Sequence, residues 1–392
     1  MNTYYSADYI LPASSSPIKN GYIAVDEFQV IQGVYTEYEA EVKGIPKGKR
    51  LKGVIVPGFV NTHCHLELSW LRGKIERNRG LVPFIQDVIR LKRCEHGDTS
   101  ESMYESDREM LENGIVAVGD ISNAIDSKPV KLKSAIKYHT FVETLGFDPN
   151  QAKTIFESAC TLKNDFAPLK ASIAPHAPYS ISKELLRYIS RECGNSESLM
   201  SIHNQESEEE NTLFRYKTGL FLDFYQGMNM DTDFFKAQAR SSVQSIFSHL
   251  GKKQKILLVH NTYTSLKDIY FTKRSGRDIF WCFCPNANLY IENRLPKVEL
   301  FRQNDLVITL GTDSLASNDG LCILSELKTL HKHFPTLRLD ETIKWATLNG
   351  AKFLDMDEDF GSIEVGKKPG LNLISNVEGL MLTPESTVEK LV

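Results

Sequence analysis

The sequence predicts an α/β protein: a (β/α)8 TIM barrel with a small β-sandwich built from both termini. Three observations predict this fold. Eight short apolar, β-rich segments recur along the chain, amphipathic segments separate them, and the flanking regions have the turns and alternation of short strands. Such segments are typical of parallel strands buried on both faces, and eight of them in about 300 residues indicate a barrel.

The expected boundaries place the two parts of the sandwich at residues 1–55 and 355–392 and the barrel at 56–354. The expected barrel strands lie, in order, in GVIVPGFV, GIVAVGDIS, YHTFVETLG, KASIAPH, LMSIHN, KILLVHN, IFWCFCP and LVITLGTD. LVPFIQDVIRLKR has the apolar stripe of a helix, and SMYESDREMLENG ends at Gly114, a suitable helix C-cap. The segment from Ser207 to Leu250 is longer than a usual strand-to-helix connection, and we expect it to fold over the barrel mouth.

Composition and charge exclude several classes of function. The formal net charge is −4 and no polybasic tract is present, so the sequence gives no sign of binding nucleic acid or an anionic membrane. No apolar run reaches the roughly 18 residues that span a bilayer, and the first residues lack the pattern of a signal peptide. Seven cysteines, in apolar segments, suit reduced thiols. We therefore expect a cytoplasmic protein that acts on a small molecule.

Ionisable residues follow several of the expected strands, at the end of a barrel where active sites lie. In an extended strand, residues two apart point the same way, so His63 and His65 can face one point. Polar groups buried there must be paired or ligated. The residues at the other strand ends are His176, His203, His260 and Asp313.

This constellation predicts a metal centre. Imidazoles with one carboxylate suit zinc or iron, and a catalytic site keeps a position open for water. The predicted ligands of one divalent ion, zinc before iron, are His63, His65, His203 and Asp313. Glu206, three residues after His203, is expected to shuttle protons beside that ion. Five other histidines lack this context and are expected to be surface or satisfied core residues: His96, His139, His249, His331 and His333.

Six motifs resemble those of the amidohydrolase superfamily, in its branch of one-metal nucleobase and nucleoside deaminases: PGFVNTHCHLELS, APHAPYS, HNQE, LVHN, CPNAN and GTDSLASN. SIHNQESEEE, GDISN, LLVHNTYTS and TDSLASN look most like the aminodeoxyfutalosine deaminases, which act on an adenine-type base in the futalosine route to menaquinone. Methylthioadenosine and S-adenosylhomocysteine deaminases share HAPY and the TD-x-x-x-SN pattern. Relatives that act on guanine, cytosine, triazines or formimino groups remain open.

The resemblance implies hydrolytic deamination with release of ammonia. It implies that Glu206 protonates the ring nitrogen beside the attacked carbon, that Asp313 accepts a proton from water and that His260 orients this water. It assigns His176 to the sugar or base. Further candidate substrate contacts are Glu67, Asn288, Arg294 and Ser317, and Arg294 and Arg215 are candidates for binding a substrate carboxylate.

Two departures from the family pattern bear on the prediction. Gly370 stands where an Asp is usual in the terminal segment, and Lys170 lies at the wrong end of the fourth strand to bridge two metals, which favours one ion. His65 and Glu67 match the H-x-E of cytidine-type zinc deaminases, but the required Pro-Cys-x-x-Cys is missing. An inactive scaffold would lack a ligand or the shuttle, and another amidohydrolase need not retain Glu206. A monomer and a homodimer remain open.

Overall fold

The computed structural model describes residues 2–94, 97–196 and 198–392. The strands are β1 (Thr3–Ile10), β2 (Ile18–Lys19), β3 (Tyr22–Val25), β4 (Ile31–Tyr35), β5 (Lys49–Pro57), β6 (Phe59–Cys64), β7 (Ile115–Ser122), β8 (Lys137–Thr144), β9 (Lys170–Pro175), β10 (Met200–Asn204), β11 (Lys255–His260), β12 (Asp278–Phe283), β13 (Val307–Leu310), β14 (Leu371–Glu378) and β15 (Met381–Lys390).

The α-helices are α1 (Glu37–Val42), α2 (Leu81–Arg93), α3 (Ser100–Glu112), α4 (Lys128–Lys133), α5 (Ala152–Asp165), α6 (Lys183–Ser196), α7 (Glu208–Tyr216), α8 (Leu220–Gly227), α9 (Ser242–Ile246), α10 (Leu266–Lys273), α11 (Pro285–Glu292), α12 (Val298–Arg302), α13 (Ile323–His333), α14 (Leu339–Ala346) and α15 (Leu348–Phe353). Both helices that the sequence analysis singled out are present, as α2 and α3. None of the helices in the described residues has the length and apolar character needed to cross a bilayer.

The eight strands β6 to β13 form the barrel. They pair in parallel as two groups of four, β6-β7-β8-β9 and β10-β11-β12-β13. The His203 N–H donates to the His176 carbonyl oxygen at 2.9 Å, which joins the end of β9 to β10. The Thr312 N–H donates to the His63 carbonyl oxygen at 3.0 Å, and a parallel bridge pairs Cys64 with Asp313, which joins β13 to β6. The predicted TIM barrel is confirmed.

The first predicted strand segment, GVIVPGFV, is divided between two sheets. Its first half belongs to β5 in the terminal sheet, and the barrel strand β6 begins only at Phe59. Gly58 lies at the junction of the two sheets. Only glycine fits there, because a Cβ would lie 2.7 Å from the Pro369 carbonyl oxygen, closer than real Cβ atoms come. Periodicity gave no sign of this break because both halves are apolar and all residues of β6 are buried.

Both ends of the chain build the second sheet. Its strand order is β15-β14-β5-β1-β3-β4, and β2 pairs with β1. Strand β5 therefore lies between an N-terminal and a C-terminal strand, over a core that includes Ile10, Ile55 and Leu371. Gly370 begins this return at φ +69°, where a side chain would approach Val116. The left-handed backbone explains why glycine replaces the usual residue there.

The long insert forms α7, α8 and α9 and packs against the end of the barrel that follows β9. Phe221 of α8 stacks on Tyr179, with ring centroids 4.2 Å apart, and the Tyr225 hydroxyl donates a hydrogen bond to the Tyr179 carbonyl oxygen. These contacts place the insert beside the barrel mouth and fix Tyr179 from behind. The described cysteine side chains are free thiols, and the Sγ atoms of Cys282 and Cys284 are 3.9 Å apart.

Candidate active site

The residues predicted at the strand ends converge on one point. The Nε2 atoms of His63 and His65 are 3.2 Å apart, and they lie 3.5 and 3.4 Å from Asp313 Oδ1. The imidazole of His203 lies 4.8 Å from that of His63, centroid to centroid. All four of these residues are buried. The structure thus brings together, at the C-terminal ends of β6, β10 and β13, the four predicted ligands.

Hydrogen bonds at the back of two histidines fix their tautomers. His203 Nδ1 lies 2.7 Å from the His176 carbonyl oxygen, and His260 Nδ1 lies 2.8 Å from the Asn288 amide oxygen. A carbonyl oxygen only accepts, so Nδ1 carries the proton in both rings and the Nε2 lone pair is free. Burial lowers the pKa of His65 and His203 well below the ordinary value, which favours the neutral, ligating form.

Asp313 supplies the charge of the cluster. Burial alone disfavours an ionised carboxyl, but the hydrogen bond from His63 and the nearby imidazoles of His65 and His260 outweigh burial and hold the pKa of Asp313 well below its usual range. The Ser317 hydroxyl donates to Asp313 Oδ2 at 2.6 Å, which leaves Oδ1 to face the histidines. The backbone of Asp313 is left-handed, with φ +57°.

The donor set fits a divalent cation. The ligating atoms of His63, His203, His260 and Asp313 all lie within 4.8 Å of one another, and so do those of His65, Glu143 and His203. His63 Nδ1 is buried without a hydrogen-bond partner. Leaving a buried polar atom unpaired costs free energy, so this polar cluster is not a simple core. Neutral imidazoles and one carboxylate are the ligands that zinc and iron accept. His260 is close enough to compete with His65 for a place in the set.

Glu206 and His260 lie side by side next to this cluster. Glu206 Oε1 is 3.6 Å from His260 Nε2, and both side chains are almost fully buried. Burial, reinforced by the negative charge of Asp313, Glu292 and Glu210, raises the pKa of Glu206 well above its ordinary value. A buried carboxyl with a raised pKa is suited to act as a general acid.

Three predicted substrate contacts support other site residues from behind. Asn288 holds His260, Ser317 holds Asp313, and Glu67 Oε2 accepts the N–H groups of Asn123 and Ala124 at 2.9 and 3.3 Å. None of the three is among the described residues that line the cavity beside the cluster. Their side chains position the site in this structure.

His176 does line that cavity. Its Nδ1 lies 2.7 Å from Ser180 Oγ, and the Ser180 hydroxyl donates in turn to the Ala177 carbonyl oxygen at 3.1 Å. The serine oxygen therefore accepts from Nδ1, and Nε2 of His176 is free to accept a hydrogen bond from a ligand. The side chain is partly exposed, as a residue that meets a substrate must be.

The structure does not bring the two predicted arginines to this cavity. Arg294 lies over the ring of Tyr263, 4.5 Å from its centroid, and Arg215 pairs with Glu208 at 3.3 Å. The cation that does line the cavity is Lys92 of α2, whose Nζ is 3.6 Å from Glu67 Oε1. Sequence reasoning missed Lys92 because α2 was read as scaffold.

Two further groups were missed. Glu143, near the end of β8, has a side chain only 4% exposed, and its Oε1 has no hydrogen-bond partner. Asp120 of β7 and Lys131 of α4 form a fully buried ion pair of 2.6 Å. Asp120 Oδ1 also accepts the Leu66 N–H at 2.8 Å, directly after His65. Both acids lie near the ends of predicted strands, where the same reasoning that selected His176 would have found them.

The remaining histidines lie away from the cluster where the structure describes them. His139 Nε2 is 2.9 Å from Ser172 Oγ, and His331 Nε2 is 3.0 Å from Thr342 Oγ1, so each buried ring bonds a hydroxyl away from the cluster, although His331 Nδ1 is buried without a hydrogen-bond partner. His249 is partly buried on the surface side, and His333 is exposed. His96 lies outside the described residues.

One cavity of about 530 Å³ connects the site to the outside. One part is lined by the polar groups described above, including His176, Glu206 and Asp313. The other part is apolar and lies between α2 and α5. A largely apolar cavity of this size with a few convergent polar groups is typical of a site for a small organic ligand.

Comparisons with known proteins agree with this geometry. A sequence profile of the amidohydrolase family matches residues 54–390. A Helicobacter pylori protein named adenosine deaminase is 28% identical over 339 residues, which are 82% of this chain and 78% of that protein. The 5-methylthioadenosine/S-adenosylhomocysteine deaminase of Bacillus cereus is 25% identical over 390 residues, which are 93% and 83% of the two chains.

Solved structures match the whole fold. Helicobacter pylori aminofutalosine deaminase in complex with methylthio-coformycin gives a TM-score of 0.79 at 24% identity, over 97% of this chain and 93% of that one. A zinc-bound adenosine deaminase from Xanthomonas campestris gives 0.73 at 20% identity, over 95% and 84%. At these identities the two structures support the fold alone. The profile match over nearly the whole chain settles the family: this protein is an enzyme of the metal-dependent hydrolase type and belongs to the amidohydrolase family.

Proposed function

We propose that this enzyme is a hydrolytic deaminase of an adenine-type nucleoside. The observation that carries the proposal is the pairing of Glu206 with His260 beside the histidine and aspartate cluster, inside one cavity. A hydrolase that adds water to a carbonyl carbon need not retain a buried carboxyl at this position. Deamination of a purine needs one, because the ring nitrogen must gain a proton as water adds.

In this proposal His63, His65, His203 and Asp313 hold one divalent ion, zinc in preference to iron. When bound, such an ion lowers the pKa of water toward neutrality and so supplies a nucleophile at working pH. His260 lies next to the ligands with a free Nε2 lone pair, and its role is to orient the water and take up a hydrogen bond from it.

The protein's own groups then move the protons. Glu206 gives its proton to the ring nitrogen adjacent to the carbon that bears the exocyclic amine. Asp313 accepts a proton from the attacking water and passes it to the amine. The C–O bond forms, the C–N bond breaks, and the proton left on the added hydroxyl returns to Glu206 as the keto group forms, so that water plus the amino base become the keto base plus ammonia. His176 accepts a hydrogen bond from the base or sugar through Nε2.

The finer proposal for the substrate is aminodeoxyfutalosine, which places the enzyme in the futalosine route to menaquinone. The sequence motifs SIHNQESEEE, GDISN and LLVHNTYTS support it, as does the name of the H. pylori structure with which the fold aligns. Methylthioadenosine or S-adenosylhomocysteine is the alternative, and the B. cereus relative supports it. Another nucleobase, or a non-purine C–N bond, is the more distant alternative. The free thiols suit a reaction in the cytoplasm.

The test is ammonia release by the metal-loaded protein from aminodeoxyfutalosine, methylthioadenosine, S-adenosylhomocysteine, adenosine, guanine and cytosine. Release from aminodeoxyfutalosine alone supports the finer proposal. Release from another adenine nucleoside keeps the mechanism and changes the substrate. If metal-loaded protein releases no ammonia from any of the six compounds, the proposal is contradicted. Cyclic amides and formimino compounds would then be tested.

A further inference from the structure

The apolar part of the cavity is built by one stripe of α2 and one stripe of α5. Phe84, Ile85, Val88 and Ile89 of α2 face the cavity at helical spacing. Ile155, Ala159 and Leu162 of α5 face it from the other side. Most of these side chains are only partly buried, although they are among the most hydrophobic types. Partly exposed apolar residues that converge on one cavity mark a binding surface.

This apolar part is continuous with the catalytic residues. The same cavity has His65, Glu206 and Asp313 in its lining, so one molecule can reach both regions. A base held against Glu206 and His176 directs the rest of the nucleoside toward the remaining space. The space between α2 and α5 can therefore hold a part of the substrate that is attached to the sugar.

Charge limits what this part of the substrate can be. Lys92 follows Val88 by four residues on the same stripe of α2 and is the one lysine or arginine among the described residues that line the cavity. Its side chain is 41% exposed, so its ammonium group is accessible to a ligand.

The contact with Glu67 leaves the ammonium group of Lys92 available to a ligand. The Nζ to Oε1 distance is 3.6 Å, longer than a charge-assisted hydrogen bond, and Glu67 is already held by two backbone N–H groups through its other oxygen. A substrate anion that approaches Lys92 can share or replace this contact. The long aliphatic stem of the lysine meanwhile extends the apolar wall.

We propose that the space between α2 and α5 selects nucleosides whose sugar bears an extended apolar or aromatic substituent ending in a carboxylate, and that Lys92 binds this carboxylate. The inference rests on the proposed function, since it specifies the substrate class of the same site. It distinguishes substrates that share an adenine base by what is attached at the far side of the sugar.

The test compares Lys92→Met with Arg93→Met, a matched change of the neighbouring cation that is not among the described lining residues of this cavity. The substrates are aminodeoxyfutalosine, its methyl ester and adenosine. We expect Lys92→Met to lose about tenfold to a hundredfold in kcat/KM on the carboxylate substrate, mainly through KM, because a hydrogen bond to a charged group contributes about 1.5–3 kcal/mol. The ester and adenosine should change less than about twofold, and Arg93→Met should match the wild type on all three.

A second variant tests the apolar wall without disturbing the core. Ser158 lines the cavity from the exposed side of α5, so Ser158→Phe narrows the space at a position that tolerates a larger residue. We expect it to weaken both substituted nucleosides and to spare adenosine. Equal losses on all three substrates, or no loss for Lys92→Met, would overturn the inference while leaving the deaminase in place. A wild-type enzyme that deaminates none of them would remove the proposed function and this inference together.

Discussion

The two ends of the barrel differ in where their ionisable side chains lie: they are exposed at one end and buried at the other. At their N-terminal ends, β8, β9 and β12 begin with Lys137, Lys170 and Asp278, and all three side chains are exposed. At the C-terminal ends, β6, β10 and β11 bury His63, His203 and His260. The barrel thus keeps charged side chains in water at one end and desolvates ionisable groups at the other, which costs stability and provides the catalytic chemistry.

The backbone shows the same contrast. Gln205, His260 and Asp313, which follow or end β10, β11 and β13, have φ values of +48°, +73° and +57°. A left-handed conformation costs a residue with a side chain on the order of 1 kcal/mol or more. His260 and Asp313 belong to the cluster, whereas the Gln205 side chain donates to Asn211 and Asp268 beside it. Part of the cost of left-handed backbone is therefore borne at the functional site.

The largest expected effect comes from removing the one carboxylate of the cluster. Asp313→Ala should lose both bound metal and ammonia release, because no other group among the predicted ligands carries a charge. Metal content by elemental analysis and turnover on the preferred nucleoside measure this. Asp278→Ala, at the opposite end of the barrel, is the control and should keep both. Stoichiometric metal in Asp313→Ala would remove Asp313 from the ligand set.

The next effect separates proton transfer from metal binding. Glu206→Gln keeps the size of the side chain but cannot donate a carboxyl proton, so kcat should fall by about a hundredfold to ten-thousandfold while the metal stays bound. Glu208→Gln, a control two residues further along the chain at an exposed position, should leave both kcat and metal content unchanged. Full turnover in Glu206→Gln would show that another group supplies the proton.

The third effect concerns the ion pair behind the site. Lys131→Met leaves Asp120 buried without its cation, which should lower the free energy of unfolding by about 3–5 kcal/mol in urea titrations. Asp120 also holds the backbone after His65, so metal affinity should fall with stability. The double variant Lys131→Met, Asp120→Asn should recover part of the loss. An unchanged unfolding curve in Lys131→Met would mean that the pair is not desolvated in solution.

A smaller effect appears as a pH dependence. Burial raises the pKa of Glu326 from its ordinary 4.5 to about 8, while the backbone N–H of Asn286, in α11, and the side-chain amide of Asn318, after β13, donate hydrogen bonds to the carboxyl. Between pH 4.5 and about pH 8, Glu326 keeps its proton in the folded state and releases it in the unfolded state. Stability therefore falls as pH rises across this window, by up to about 1.4 kcal/mol per pH unit from this group.

Glu326→Gln removes this titration. The unfolding free energy of the variant minus that of the wild type should rise steadily between about pH 5 and pH 8 in urea titrations at constant ionic strength. Parallel curves for the two proteins would show that Glu326 is ionised in the folded state.

The smallest effect is expected at the N-terminal end of the strands. Lys255, the first residue of β11, pairs with Asp355, and both side chains are substantially exposed. Lys255→Met should change the unfolding free energy by no more than about 1 kcal/mol and leave turnover unchanged. A loss like that of Lys131→Met would erase the contrast between the two ends.

Sequence patterns predicted the elements of this contrast unequally. The eight strands were readable because each is short, apolar and bounded by turns, and the strand-end histidines stood out because ionisable residues seldom follow buried strands. The break at Gly58 was not readable, because one apolar run served two sheets. The partners that place each histidine, such as Asn288 for His260, come from other elements and became known only through the fold.

Substrate contacts were the least predictable part of the site. Glu67, Asn288 and Ser317 lie in the motifs PGFVNTHCHLELS, CPNAN and GTDSLASN and were predicted to contact the substrate, but they lie behind the residues that face the cavity. Lys92 was passed over because a lysine at the end of an amphipathic helix is usually solvated. Which side chain reaches a cavity depends on how α2 lies across the barrel mouth, and one helix's periodicity does not contain that information.

The order in which the ribosome synthesises the chain sets when the strand before the barrel can gain its second neighbour. Strand β5, which leads through Gly58 into β6, takes β14 as a hydrogen-bonded neighbour, with Pro57 opposite Leu371 and Val54 opposite Ile374. β14 is synthesised after every barrel strand, so β5 and the start of β6 stay without this anchor until then. Contacts this distant in sequence form slowly. The sheet that holds the chain immediately before His63 and His65 can therefore be completed only after all eight barrel strands have been synthesised.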